Sequence, residues 1–288
     1  MFKSIVVFGD SLSDPGNDFA LINTQNTPPY DNLDPGTIIP HAPYAKGGHH
    51  YSNGITWVEQ FARRRGLAQY VTPAWQSAGT KAANYAVGGA RARDDENSIY
   101  INLGDQVKRF LIDVGEQAPS DALYVIEVGG NDIRDALAEY LNNNQLGSDT
   151  IIINALNGIG ANIGILYEAG ARKFLVWNVP DLGKTPAVIA MGYQTQTKVS
   201  YIVSSFNSLL SISLPTEIKL FNAFENVNKI VDSPVDYGLE VVNAACVTPK
   251  SPPFDCKEPD EYLFWDGIHP TKTAHGIIAQ MVADVLAQ

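Results

Sequence analysis

The feature that most constrains this chain is a recurrence. Short runs of β-branched and aromatic residues stop at glycine or just before proline, and stretches with helical spacing separate them. Ile5–Phe8 runs into Gly9, Ala83–Val87 into Gly88-Gly89 and Ala122–Val128 into Gly129-Gly130. Lys173–Asn178 ends just before Val179-Pro180, and Ile218–Phe224 is the last of the set. Runs that are apolar at every position, rather than at alternate ones, suit strands covered on both faces, as in parallel sheets. Between them, Thr56–Arg65, Leu103–Val114, Ile133–Leu141, Thr150–Glu168, Tyr193–Leu214 and Thr271–Ala287 read as helices. Strand–helix alternation with right-handed crossovers predicts an α/β fold, a three-layer α/β/α sandwich on a parallel five-stranded sheet. Sheets of this kind bind ligands beyond the carboxyl ends of their strands.

No repeat, low-complexity tract or linker divides the chain, so residues 1–288 read as a single domain. Two stretches fit no regular element, 23–53 and 231–262. Loops of that length are usually functional or disordered, and both read as walls of a substrate pocket, with surface decoration as the alternative. Hydrophobic residues at 45% and charged residues at 18% suit a folded globular chain. The net charge of −11 disfavours nucleic acid as a partner and gives no pull toward anionic lipid. Long-range steering weakly favours a neutral or cationic substrate. No uninterrupted apolar run reaches the roughly 20 residues of a membrane span. The N-terminus carries no secretory pattern, so the chain is either cytoplasmic or a mature form whose leader is left out.

Cys246 and Cys256 have nine residues between them. No Cys-x-x-Cys and no His cluster at ligand spacing accompanies them, which argues against zinc. They read as a local disulfide, worth about 2–3 kcal/mol by loop entropy, or as two free thiols. The disulfide reading favours periplasm or exterior.

Chemically loaded residues gather at the strand ends. Ser11 follows Gly9-Asp10, Gly88-Gly89 follows the second run, and Gly130-Asn131-Asp132 follows the third. Asp266-Gly267-Ile268-His269-Pro270 precedes the last helix. Each has an ordinary reading alone: a helix cap for Ser11 and Asn131, turn residues for Gly89 and Asp266, a cap or surface imidazole for His269. Together they supply what acyl transfer requires. A serine needs a base, the base needs an orienting carboxylate, and the oxyanion needs fixed N–H donors. Asp266 lies three residues before His269, so it can fold back to accept from the imidazole. Pro270 suits the first helical position, with His269 as cap.

These positions resemble the GDSL/SGNH hydrolase family. Gly9-Asp10-Ser11-Leu12-Ser13-Asp14 is similar to its first block, the run ending Gly89-Ala90 to its second, Gly130-Asn131-Asp132 to its third and Asp266-Gly267-Ile268-His269-Pro270 to its fifth. The opening and closing motifs look closest to a bacterial lipase/esterase and lysophospholipase-like branch. The resemblance implies a flavodoxin-like sheet and a catalytic triad of Ser11, His269 and Asp266. It implies an oxyanion hole from the Ser11 and Gly89 N–H groups and the Asn131 amide, with Gly88 the alternative to Gly89. No cofactor and no metal is expected. The implied activity is hydrolysis of short to medium acyl esters or lysophospholipids. Alternatives are carbohydrate O-deacetylation and a non-catalytic binding module on the same fold. Small-molecule or lipid esters are then the expected partners.

Other residues receive quieter readings. His41, His49 and His50 lack ligand-spaced partners, and His275 reads as helix surface. Asp10 and Asp132 read as hydrogen-bonding neighbours of the catalytic candidates. Tyr30, Tyr44, Tyr51 and Trp265 fit either a pocket or the core.

Overall fold

The computed structural model describes residues 2–76, 83–94 and 100–288. Its strands are β1 (Ser4–Gly9), β2 (Ala122–Glu127), β3 (Lys173–Trp177), β4 (Lys219–Phe221), β5 (Val241–Ala245) and β6 (Tyr262–Phe264). Its helices are α1 (Asn17–Ile22), α2 (Trp57–Arg64), α3 (Leu103–Val114), α4 (Gly130–Leu141), α5 (Gln145–Glu168), α6 (Pro186–Ile189), α7 (Tyr193–Ser213), α8 (Ala223–Asp232) and α9 (Lys272–Ala287). β1 to β4 form a parallel sheet in the order β1-β2-β3-β4.

Alternate side chains of β1 go to opposite faces, as the period of a strand dictates. Val6 and Phe8 pack into a core with α3, α5 and α7, while Ile5 and Val7 pack with α2 and α9. The expected three-layer α/β/α sandwich follows. All six residues of β2 are buried, which explains why its sequence shows no alternation.

The second expected strand differs. Residues 83–87 run parallel to β1 along its outer edge but form only isolated bridges. Val7 N–H donates to Ala83 O (2.8 Å), Tyr85 N–H to Val7 O (2.8 Å) and Val87 N–H to Gly9 O (3.2 Å). On the far edge residues 72–74 make one isolated parallel bridge, at Pro73 and Asn84, and the Asn17 side chain covers the rest: its Nδ2 donates to both Asn84 O and Ala86 O, each at 2.8 Å. The segment thus occupies the place of a fifth strand without its regular ladder.

The last predicted strand is shorter than expected, because Asn222 accepts from Glu225 N–H (3.1 Å) and starts α8 there. The stretch 231–262 is not loop alone. It contributes β5, which pairs in parallel with β6. Cys246 and Cys256 are disulfide-bonded just beyond β5. α5 is long and apolar enough to cross a membrane by length and composition. In this fold it packs in a helical layer through Ala155, Ile159, Ile163 and Leu166.

Candidate active site

Ser11 owes its position to the end of β1. At Gly9 a Cβ would lie 2.6 Å from Glu127 O of the neighbouring strand, so only glycine lets the two backbones pass. Gln106 of α3 clasps this residue, accepting from Gly9 N–H (2.9 Å) and donating to Gly9 O (2.8 Å). Asp10 then turns the chain: its carboxylate accepts from Leu12 N–H (3.1 Å) and its carbonyl from Ser13 N–H (3.1 Å). Ser11 stands at the tip of that turn, half-buried.

His269 and Asp266 reach it from the loop before α9. His269 Nε2 lies 2.8 Å from Ser11 Oγ, and His269 Nδ1 lies 2.8 Å from Asp266 Oδ2. Asp266 is fully buried and accepts from the N–H groups of Ile268 (2.8 Å) and His269 (2.7 Å). Gly267 is required between them. A Cβ there would sit 1.9 Å from Thr37 O, on backbone that cannot yield cheaply. Thr271, not His269, caps α9, accepting from Ala274 N–H (3.1 Å). Pro270 therefore lies outside the helix, in a bridge with Phe264. His269 is free of capping duty, and its ring has Ser11 on one nitrogen and Asp266 on the other.

One contributor escaped the sequence reading. Tyr44 Oη donates to Asp266 Oδ2 (3.0 Å) from 222 residues away. Burial and the adjacent Asp266 push the Tyr44 hydroxyl well above its ordinary pKa, so it stays a donor. Tyr30 and Trp265 meet the Tyr44 ring edge-on, at centroid distances of 5.8 Å. Three of the four aromatics left open between pocket and core are therefore packing behind Asp266. Tyr51 is the fourth. Its ring lies 5.1 Å from that of His269, and its hydroxyl donates to Asp18 (2.6 Å).

The two glycine-rich strand ends converge on the same place. Asp14 accepts from Gly88 N–H (2.8 Å) and from the N–H groups of Gly16, Asn17 and Asp18, tying the Gly88-Gly89 turn to the Ser11 loop. Gly88 N–H is thus spent. Gly89 follows at φ 78°, a left-handed conformation that glycine adopts freely. Asn131 sits in the first turn of α4, but Gly129 rather than Asn131 is the cap. Its Nδ2 donates to Ala90 O (3.0 Å), and Asp10 Oδ2 lies at 3.5 Å, long for a second bond. Asn131 Oδ1 accepts from Arg134 (3.1 Å), which fixes which end of the amide faces the site.

The surrounding carboxyls share a cause. Burial pushes Asp10 up to about 6, against the opposing pull of Leu12 N–H and His269. Burial, with Asp10 beside it, also raises Glu127 well above the usual carboxylate range. Glu127 accepts from Ser13 Oγ (2.8 Å), which in turn accepts from Trp57 Nε1 (3.0 Å). Asp132 is committed to Ala92 N–H (2.8 Å) and Arg93 (2.9 Å). Asp10 and Asp132 hold backbone around the site, as their sequence reading expected.

His275 does not. It is 1% exposed, and its Nδ1 accepts from Trp57 N–H (3.2 Å), where α9 crosses the start of α2. The sequence could not show this, because the packing of α9 on α2 is a tertiary event. His50 bridges Gly47 O (2.7 Å) and Glu59 (2.8 Å), a structural tie.

A cavity opens beside Ser11. Ser11, Asn131 and His269 line it together with a mostly apolar wall that includes Trp177, Val179, Leu182, Phe221, Val227 and Ile230. Neither 23–53 nor 231–262 supplies a lining residue of this cavity. Residues from the first stretch instead stand behind Asp266, where Tyr44 reaches its buried side. The second packs against them through Cys246 and Val247.

Residues 5–282 match the family described as GDSL-like Lipase/Acylhydrolase. GDSL esterase/lipase 7 of Arabidopsis thaliana is 30% identical over 322 residues, covering 95% of this chain and 85% of that protein. Another Arabidopsis thaliana GDSL esterase/lipase is 27% identical over 318 residues, covering 95% and 83%. Among solved structures, a catalytic mutant of an acetylxylan esterase from Geobacillus stearothermophilus matches at TM-score 0.49 and 12% identity, covering 99% of this chain and 96% of that one. An extracellular lipase from Streptomyces rimosus matches at TM-score 0.46 and 15% identity, covering 98% and 99%. The chain belongs to the GDSL-like lipase/acylhydrolase family and is a carboxylic ester hydrolase.

Proposed function

We propose that this chain works through an acyl-enzyme on Ser11 and cleaves short- to medium-chain acyl esters or lysophospholipids. The observation that carries the reading is the continuous line from Ser11 Oγ through both nitrogens of His269 to buried Asp266. A carboxylate facing Nδ1 selects the tautomer with its proton there, leaving the Nε2 lone pair toward Ser11. His269 takes the Ser11 proton as Oγ attacks the ester carbonyl, then delivers it to the departing alcohol. Water attacks the acyl-enzyme with His269 again as base.

The oxyanion is assigned to the N–H groups of Ser11 and Gly89 and to the Asn131 amide. The commitment of Gly88 N–H to Asp14 supports Gly89 over its neighbour. The second hydrogen on Asn131 Nδ2, with only the long Asp10 contact, suits a developing negative charge better than the first. The apolar cavity wall supports an acyl chain as the occupant rather than a sugar ring.

A p-nitrophenyl ester panel of increasing acyl length tests the reading. Wild-type protein should cleave the shorter members, and Ser11→Ala should lose both turnover and fluorophosphonate labelling. Turnover in Ser11→Ala near the wild-type rate would sink the assignment. The Cys246–Cys256 bond supports a periplasmic or extracellular location, because such bonds persist in oxidising compartments. Cell fractionation checks this, and recovery from the cytoplasm alone would contradict it.

A further inference from the structure

Arg134 stands one helical turn after Asn131 on α4 and lines the same cavity as Ser11 and His269. Spacing of three residues on a helix brings both side chains to one face, toward the site. Among the described residues the guanidinium makes one hydrogen bond, to Asn131 Oδ1 at 3.1 Å. Its neighbours are committed differently. Arg91 pairs with Asp135, and Arg93 with Asp132 and Asp135. Among the described residues no carboxylate forms an ion pair with Arg134. Although its side chain has open surface at the rim, desolvation by the surrounding protein and repulsion from Arg91 weigh against its charge and outweigh the opposing pull of Asp135 and Asp10. A guanidinium offers five donors in a planar fork that fits carboxylate or phosphate oxygens.

We propose that Arg134 is an anion-recognition residue of the substrate site, and that the preferred esters carry a carboxylate or phosphate on the alcohol side. This rests on the ester-hydrolase reading of Ser11 given above. The acyl chain enters the apolar cavity, and the anionic group of the alcohol stays at the rim against the free donors of Arg134. The net charge of −11 does not forbid such a substrate. At physiological salt, charges more than about 8 Å apart are largely screened, so a contact at Arg134 outweighs distant repulsion. The proposal departs from the sequence-based expectation of a neutral or cationic substrate, because a local contact at Arg134 replaces long-range steering as the deciding interaction.

Arg134 also holds Asn131, so its loss is expected to slow every ester to some degree. The measurement is therefore a ratio. Two matched pairs serve: hexanoylglycerol phosphate against hexanoylglycerol, and the butyrate ester of 4-hydroxybenzoate against that of 4-hydroxybenzamide. kcat/KM is measured for wild type, Arg134→Ala and Arg134→Lys, with circular dichroism to confirm folding. Arg134→Ala should lower the charged-to-neutral ratio by about 10-fold in at least one pair, the scale of a charge-assisted hydrogen bond. Arg134→Lys should retain part of that ratio. The pair that responds tells phosphate from carboxylate. Equal losses for charged and neutral esters would reduce Arg134 to a positioning residue for Asn131 and overturn the proposal. A wild-type protein that cleaves the neutral esters but shows no Arg134-dependent ratio refutes only this proposal. One that cleaves none of the four refutes the Ser11 reading with it.

Discussion

Tyr44→Phe isolates one hydroxyl. The ring is fully buried, and its Oη donates to a carboxylate that is fully buried too. Phenylalanine keeps the edge-on contacts with Tyr30 and Trp265 and removes only the donor. A hydrogen bond to a charged group contributes about 1.5–3 kcal/mol, so the variant should lose about 2 kcal/mol of stability. Urea denaturation should show this as a lower midpoint with unchanged slope. Asp266 retains the Ile268 and His269 N–H donors, so its orientation survives and kcat/KM should fall by no more than about 10-fold. Asp266→Asn removes the charge itself and should cost far more, on the order of 10³–10⁴-fold. The double variant completes a cycle. If the hydroxyl acts through the Asp266 charge, Tyr44→Phe should cost about 1 kcal/mol less in the Asp266→Asn background, since a neutral acceptor leaves an ordinary bond. The same stability loss in both backgrounds would show that the hydroxyl does not act through the Asp266 charge, and the reasoning would fail.

Three further outcomes follow from particular contacts. Gly267→Ala should lose about 3 kcal/mol or more and most activity. Its Cβ would meet Thr37 O at 1.9 Å and break the Gly267 N–H to Ile38 O bond (2.9 Å) beside Asp266, and a stable, active variant in denaturation and turnover assays would contradict the packing. Burial, then His269, lowers His275 to about 3 from 6.5, so the unfolded chain protonates first. Its stabilisation is complete above pH 6.5 and drains away as pH falls toward 3, by about 5 kcal/mol over the whole window. His275→Asn, which keeps an acceptor for Trp57 N–H, should flatten denaturation midpoints across that window; an unchanged slope would refute it. Cys256→Ser should lower stability by about 2–3 kcal/mol through loss of loop closure, read as a fall in melting temperature absent when both proteins are reduced.

Local pattern carried a large part of this protein. Continuous apolar runs such as Ala122–Glu127 announce strands buried on both faces, because a strand exposed on one side must alternate. Glycine at the strand end beside Ser11 is demanded by the close approach of Glu127 O on the adjacent strand. Asp266 and His269 are three residues apart, so their pairing is nearly a local event and could be foreseen. What sequence spacing could not show depends on long-range packing. Residues 83–87 lack the regular ladder of a strand because their outer edge meets residues 72–74 through one isolated bridge and otherwise the side chain of Asn17. His275 is buried because α9 meets α2, and Tyr44 reaches Asp266 across most of the chain. The stretches 23–53 and 231–262 stand away from the cavity because the aromatic cluster around Trp265 draws them behind Asp266. The amino-acid order by itself determined the sheet, its loaded ends and the pairing of Asp266 with His269, all set by periodicity and short-range geometry. Only the tertiary structure decided what supports Asp266, which residues wall the cavity beside Ser11 and that Arg134 lines it, since those depend on burial shared between segments far apart in the chain.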